Sequence, residues 1–97
     1  MNLIYSVEAL ADLARVRALI ARENPAAAGR IAASLVERID NLLTFPEMGV
    51  AVAEAPDPDA IRDLFVDSYV VRYAIHAGTV FVLRVWHGRE DRGNNIK

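Results

Sequence analysis

The residues best suited to chemistry stand together near the end of the sequence, in Trp86-His87-Gly88-Arg89-Glu90-Asp91. Imidazole is the side chain whose unperturbed pKa allows both acid and base work near neutrality, so His87 is the leading catalytic candidate. The structural alternative is a histidine at a strand end, hydrogen-bonded to a carboxylate such as Glu90 or Asp91. Arg89 and Arg92 flank that acidic pair, either as a solvated charge run or as a functional cluster. Arg62, Asp63 and Arg72 bring charge into runs that are otherwise apolar. His76 borders a turn and reads as solvent-facing. The sequence has no glycine-rich phosphate loop, no paired histidine and carboxylate at metal-ligand spacing, and no serine in a nucleophile elbow. Neither a metal nor a cofactor is expected.

Composition narrows the functions such a cluster can serve. The 97 residues suit one domain, 1–97, and a hydrophobic content of 54% suits a globular chain. The absence of cysteine excludes a disulfide framework and a thiolate nucleophile or zinc site. No apolar run is long enough to span a bilayer, and the N-terminus lacks the layout of a secretory signal, so a cytoplasmic protein is the simplest expectation. Net charge is −2, and Lys97 is the only lysine. Free binding to long nucleic acid is disfavoured, because phosphate neutralisation needs a surplus of positive charge.

Local patterns predict the elements that position the cluster. Leu3-Ile4-Tyr5 reads as a short strand, and Ser6 as the N-cap of a helix from Val7 to about Glu23. Leu10, Leu13, Val16, Leu19 and Ile20 form its apolar stripe, with Asp12, Arg15 and Arg22 on other faces. Asn24-Pro25 caps and starts a second helix whose stripe is Ala28, Ile31, Leu35, Ile39 and Leu42, widened by Ala32 and Leu43. Phe45-Pro46-Glu47-Met48-Gly49 ends it, with glycine suited to a left-handed turn. So tight a link requires an antiparallel helical hairpin.

An acidic loop, Val50 to Asp59, precedes strands at about Ala60–Val66, Tyr69–His76 and Thr79–Trp86. The turns fall at Asp67-Ser68 and Ala77-Gly78, short enough to require antiparallel neighbours. Alternation places Leu64, Val66, Tyr69, Val71, Tyr73, Ile75, Val80, Val82 and Trp86 on one face. The other face takes Ile61, Asp63, Phe65, Val70, Arg72, Ala74, Phe81, Leu83 and Val85. Arg72 then lies opposite Asp63, as a cross-strand ion pair. Two helices cover one face of such a sheet, so Phe65, Val70, Phe81 and Leu83 are expected to form a patch where a second chain docks. Cover by the long loop and the C-terminus is the alternative.

The order strand, helical hairpin, loop, three-stranded meander resembles the RelE/ParE superfamily of bacterial type II toxins. The shared features are Ala11-Asp12-Leu13, Asn24-Pro25-Ala26-Ala27-Ala28, Leu42-Leu43 through Pro46-Glu47-Met48-Gly49, Ile61-Arg62-Asp63-Leu64, Tyr69-Val70-Val71-Arg72-Tyr73 and Val85-Trp86-His87-Gly88-Arg89-Glu90-Asp91. The resemblance implies an α+β fold with the N-terminal strand and helical hairpin on one face of a small, mainly antiparallel sheet. It implies a toxin held inactive by a cognate antitoxin; Phe65, Val70, Arg72, Phe81, Leu83, Glu90 and Asp91 are the residues expected to bind the antitoxin or the target. RelE-like members cleave mRNA in the ribosomal A site, and ParE-like members poison DNA gyrase.

Cleavage needs cations around the scissile phosphate and a group to activate the ribose hydroxyl. In the RelE pattern an arginine follows the tyrosine that opens its strand, but here Val70 follows Tyr69, and the lysine pair of the preceding strand is missing too. His87, Arg89 and Arg62 are the residues a nuclease would use. The departures favour gyrase poisoning, with an mRNA endonuclease or a degenerate antitoxin-binding member as alternatives.

Overall fold

The computed structural model describes residues 1–57, 60–88 and 90. The chain runs β1 (Asn2–Tyr5), α1 (Val7–Glu23), α2 (Pro25–Asp40), one 3₁₀ turn (Asn41–Leu43), β2 (Val50–Ala51), β3 (Ile61–Val66), β4 (Tyr69–His76) and β5 (Thr79–His87). The strands form one sheet in the order β1-β5-β4-β3-β2. β1 runs parallel to β5, and the remaining pairs are antiparallel. The expected α+β architecture is present, with β2 as an addition: the segment read as pure loop pairs Val50 with Asp63 and Ala51 with Arg62.

Caps divide the helices as the sequence predicts. Ser6 Oγ accepts the Ala9 N–H at 2.9 Å and donates to the Leu83 carbonyl at 2.8 Å, so one hydroxyl starts α1 and ties it to β5. Asn24 closes one helix and opens the next. Its N–H donates to the Ile20 carbonyl at 2.8 Å, and its side chain accepts the Ala27 N–H at 3.2 Å.

The buried face of α1 differs from the predicted stripe. Ala9, Asp12 and Val16 are buried, with Leu13 and Ile20 half-buried against the core, whereas Leu10 and Leu19 are exposed. Hydrophobic periodicity assigns an aspartate to solvent, yet Asp12 is only 2% exposed, because its charge is neutralised by partners that are remote in sequence. α2 keeps its predicted face through Ala28, Leu35 and Ile39; Leu42 is buried in the 3₁₀ turn, while Leu43 is exposed.

The core lies between the hairpin and one sheet face, where Ala9, Val16, Leu35, Ile39 and Leu42 meet Leu64, Val66, Val71, Tyr73, Val80, Val82 and Val85. The turns form as expected, with Asp67, Ala77 and Gly78 at positive φ. Gly49 has a different reason from the predicted left-handed turn. A Cβ there would fall 2.7 Å from Tyr73 Oη and 2.9 Å from the Asp63 carbonyl, so lack of space excludes a side chain.

One irregularity reassigns the end of β5. Tyr73 pairs with Val82 and Arg72 with Arg84, which leaves Leu83 as an extra residue in a β-bulge. Beyond it the faces exchange. Val85, expected on the open face, is fully buried in the helix-side core, and Trp86, expected in that core, pairs with Val70 on the opposite face.

Candidate functional site

The bulge is held from α1. Asp12 Oδ2 accepts the Val85 N–H at 2.9 Å and the Arg84 Nε–H at 2.7 Å, while Oδ1 accepts from Arg84 Nη2 at 3.1 Å. Arg15 donates to the same carboxylate through Nη1. Burial alone would raise the Asp12 pKa; the bonds from Arg84, the Val85 N–H and Arg15 outweigh it and bring the pKa down to about 2. Asp12 is therefore ionised throughout the neutral range. The opposite end of the Arg15 guanidinium donates through Nη2 to the Val85 carbonyl at 3.1 Å and to Glu90 Oε2 at 2.9 Å.

This network sets the end of β5, where His87 emerges. His87 pairs with Tyr69, and their rings meet edge-on with centroids 5.0 Å apart. Gly88 N–H donates to the Ser68 carbonyl at 2.7 Å, and Glu90 N–H to the His87 carbonyl at 2.9 Å, so the chain turns at once. A cleft of about 590 Å³ opens here. Val16, Leu19 and Ile20 of α1 form its apolar wall, facing Tyr69 and His87, with Arg22, Glu23 and Glu90 completing the lining. Burial, followed by the charges of Asp67 and Glu90, pushes the Tyr69 pKa up, so its phenol stays protonated at neutral pH.

Arg62, the second nuclease candidate, is not part of this cluster. It pairs with Tyr73, so it stands roughly 13 Å from His87 along the strand direction, at ~3.3 Å per residue. Its guanidinium instead clamps the turn after α2, donating through Nη1 to the Gly49 carbonyl at 2.9 Å. Tyr73 fixes the same turn: its hydroxyl accepts the Gly49 N–H at 2.9 Å and donates to the Pro46 carbonyl at 2.7 Å. Arg62 and Tyr73 thus shape a loop whose Phe45 side chain projects into solvent. Arg89, Asp91 and Arg92, the remaining members of the predicted cluster, lie outside the described residues.

On the face away from the helices, Phe65, Val70 and Trp86 form one row across β3, β4 and β5. Phe65 is 57% exposed, whereas Val70 and Trp86 are buried. Arg72 bonds Asp63 in bidentate fashion, at 2.8 and 2.9 Å, and places its guanidinium 5.4 Å from the Trp86 ring centre. Phe81 and Leu83 are half-buried. The expected patch is therefore narrower than its sequence implies, with Phe65 as its exposed aromatic. Val50 on β2 and Ile4 on β1 extend the apolar exposure toward both sheet edges.

Sequence reasoning missed Asp12, Arg15 and Arg84 as a unit. The available signal was position: Asp12 stands three residues after Ala9 and four before Val16, squarely on the true buried face. Among the described residues, no group of three or more His, Cys, Asp or Glu side chains could hold a metal ion, and no helix is long and apolar enough to cross a membrane.

A helical hairpin on one face of a β1-β5-β4-β3-β2 sheet is the α+β fold of this chain, and it is shared with a solved chain of a ParDE toxin–antitoxin system. The sequence pattern of the family described as "ParE toxin of type II toxin-antitoxin system, parDE" matches residues 3–92, and the chain belongs to that family, within the RelE/ParE superfamily. It is 34% identical over 92 residues to Toxin RelE1 of Caulobacter vibrioides, covering 94% of this chain and 97% of the relative. It is 36% identical over 87 residues to Toxin RelE2 of the same organism, covering 89% and 93%. Its fold matches a chain of a chromosomal ParDE toxin–antitoxin system from P. aeruginosa with a TM-score of 0.77 at 20% identity, over 90% of this chain and 95% of that one. Membership implies a cognate antitoxin as partner.

Proposed function

We propose that this toxin arrests growth by poisoning DNA gyrase rather than by cutting RNA, and that its antitoxin covers the open sheet face. The observation that carries the first part is the disposition of cations. Val70 occupies the place after Tyr69 where an RNA-cleaving relative needs an arginine. Arg62 is committed to the Gly49 carbonyl, Arg72 to Asp63, and Arg84 to Asp12. Among the described arginines Arg22 alone lines the cleft with His87, and a phosphoryl-type transition state needs several cations assembled before reaction. Exposed Phe65, in a row with Val70 and Trp86, gives a second chain an aromatic anchor, with Arg72 on the same face and half-buried Phe81 and Leu83 farther along β5.

Ribosome-dependent mRNA cleavage is the second reading. The likeness to Toxin RelE1 and Toxin RelE2 favours it, as does His87 lining a cleft beside the protonated phenol of Tyr69. Induction of the chain followed by mapping of cellular RNA ends, set beside a gyrase supercoiling assay, separates the two. Gyrase poisoning predicts inhibited supercoiling, unchanged RNA ends, and full growth arrest by the His87→Ala variant. New RNA 5′ ends that vanish in that variant would establish the nuclease instead.

A further inference from the structure

We infer that Arg15 on α1 is a positioning residue for the end of β5, where the cleft lined by His87 opens, acting through Glu90. The growth effect tested below rests on the toxin reading above; the positioning does not. Arg15 is the one described side chain that bonds α1, the end of β5 and the segment beyond it together. Nη1 serves Asp12, and Nη2 serves both the Val85 carbonyl and Glu90 Oε2. Glu90 lies 75 residues from Arg15 in sequence and only three beyond His87, whose carbonyl accepts the Glu90 N–H. Fixing the Glu90 carboxylate therefore fixes the turn by which the chain leaves the sheet, and with it the floor of the cleft lined by Tyr69, His87 and Glu90.

The arrangement requires a fork. A guanidinium presents separate N–H groups in one plane, so it can hold Asp12 on one side and Val85 and Glu90 on the other; an ammonium is a single point and cannot. Arg15→Lys should therefore behave like a loss and not like a conservative change. Because Arg15 also serves Asp12, Glu90→Ala is the cleaner variant: it leaves the bonds that hold the bulge intact.

Amide hydrogen exchange on the full chain tests the positioning. Arg15→Lys and Glu90→Ala should each speed exchange at Gly88 and at position 90 by about tenfold. In Glu90→Ala, exchange at Val71 and Val82 in the core should stay unchanged, and the double variant should exceed neither single one. Unchanged exchange at Gly88, additive effects, or a rise in core exchange in Glu90→Ala would overturn the inference. In a growth assay both single variants should lose arrest; full arrest despite loosened Gly88 would remove the functional half. A wild-type chain that does not arrest growth would count against the toxin reading, while exchange would still decide the role of Arg15.

Discussion

Asp12, in the middle of α1, accepts the backbone N–H of Val85, 73 residues later in β5, at 2.9 Å. The bond joins a helix to the strand just past its bulge, where the ladder has lost a partner, so the side chain supplies what the neighbouring strand cannot. Replacement of Asp12 by Asn keeps the shape but removes the charge that Arg84 and Arg15 share. Since breaking a buried pair on one side costs about 3 kcal/mol or more, and both arginines are partly exposed here, a loss of about 2 kcal/mol is expected for Asp12→Asn. Denaturant unfolding monitored by Trp86 fluorescence measures it.

The same carboxylate sets the acid limit of the fold. Its pKa is about 2 when folded, against an ordinary value of 3.8, so the folded state binds its proton less readily than the unfolded chain. The associated stability is complete above pH ~4 and is lost as pH falls from there toward 2. Thermal midpoints taken from pH 6 down to pH 2 should drop steeply below pH 4 in the wild type. The drop should be shallower in Asp12→Asn, whose midpoint is lower at neutral pH and converges with the wild type in acid.

Tyr73 and Gly49 form a lock whose two halves fail differently. Tyr73→Phe leaves the Gly49 N–H and the Pro46 carbonyl without their partner and should cost about 1–3 kcal/mol, with the core otherwise filled. Gly49→Ala pushes a methyl group within 3 Å of both Tyr73 and the β3 backbone, so the turn must move. Combining Gly49→Ala with Tyr73→Phe should recover little, because the Asp63 carbonyl still blocks the methyl group. A double-mutant cycle in urea reads this directly.

Phe65 is exposed on the face away from the helices, so its removal should spare the fold and weaken the complex. Phe65→Ala is expected to leave the thermal midpoint of the isolated chain unchanged within about a degree. It should lower antitoxin affinity roughly tenfold or more, as loss of an aromatic anchor does. Titration calorimetry against the cognate antitoxin checks both the value and the face.

Elements with short-range causes were legible in the sequence. Ser6, Asn24-Pro25, Asp67-Ser68 and Ala77-Gly78 act on their own neighbours, and each stands where its chemistry requires. What the sequence concealed depends on long-range contact. The bulge at Leu83 has no local marker such as glycine, so alternation carried Val85 and Trp86 to the wrong faces. Asp12 reads as a surface charge until Arg84 and the Val85 N–H are brought to it from the far end of the chain. The Arg72–Asp63 pair was foreseeable because a short turn alone fixes its register. Arg62 looked available for catalysis because nothing in its own strand shows that Gly49 and Glu47 lie against it.

β1 aligns Asn2 with Thr79 and Tyr5 with Val82, so the first strand of the sheet finds its neighbour only in the fifth. β1 waits, unpaired, until β5 has been made, since a parallel partner cannot be supplied by an adjacent hairpin. The sheet is completed last at the very strand that carries His87. A chain that stops short of β5 therefore cannot form the cleft that His87 lines.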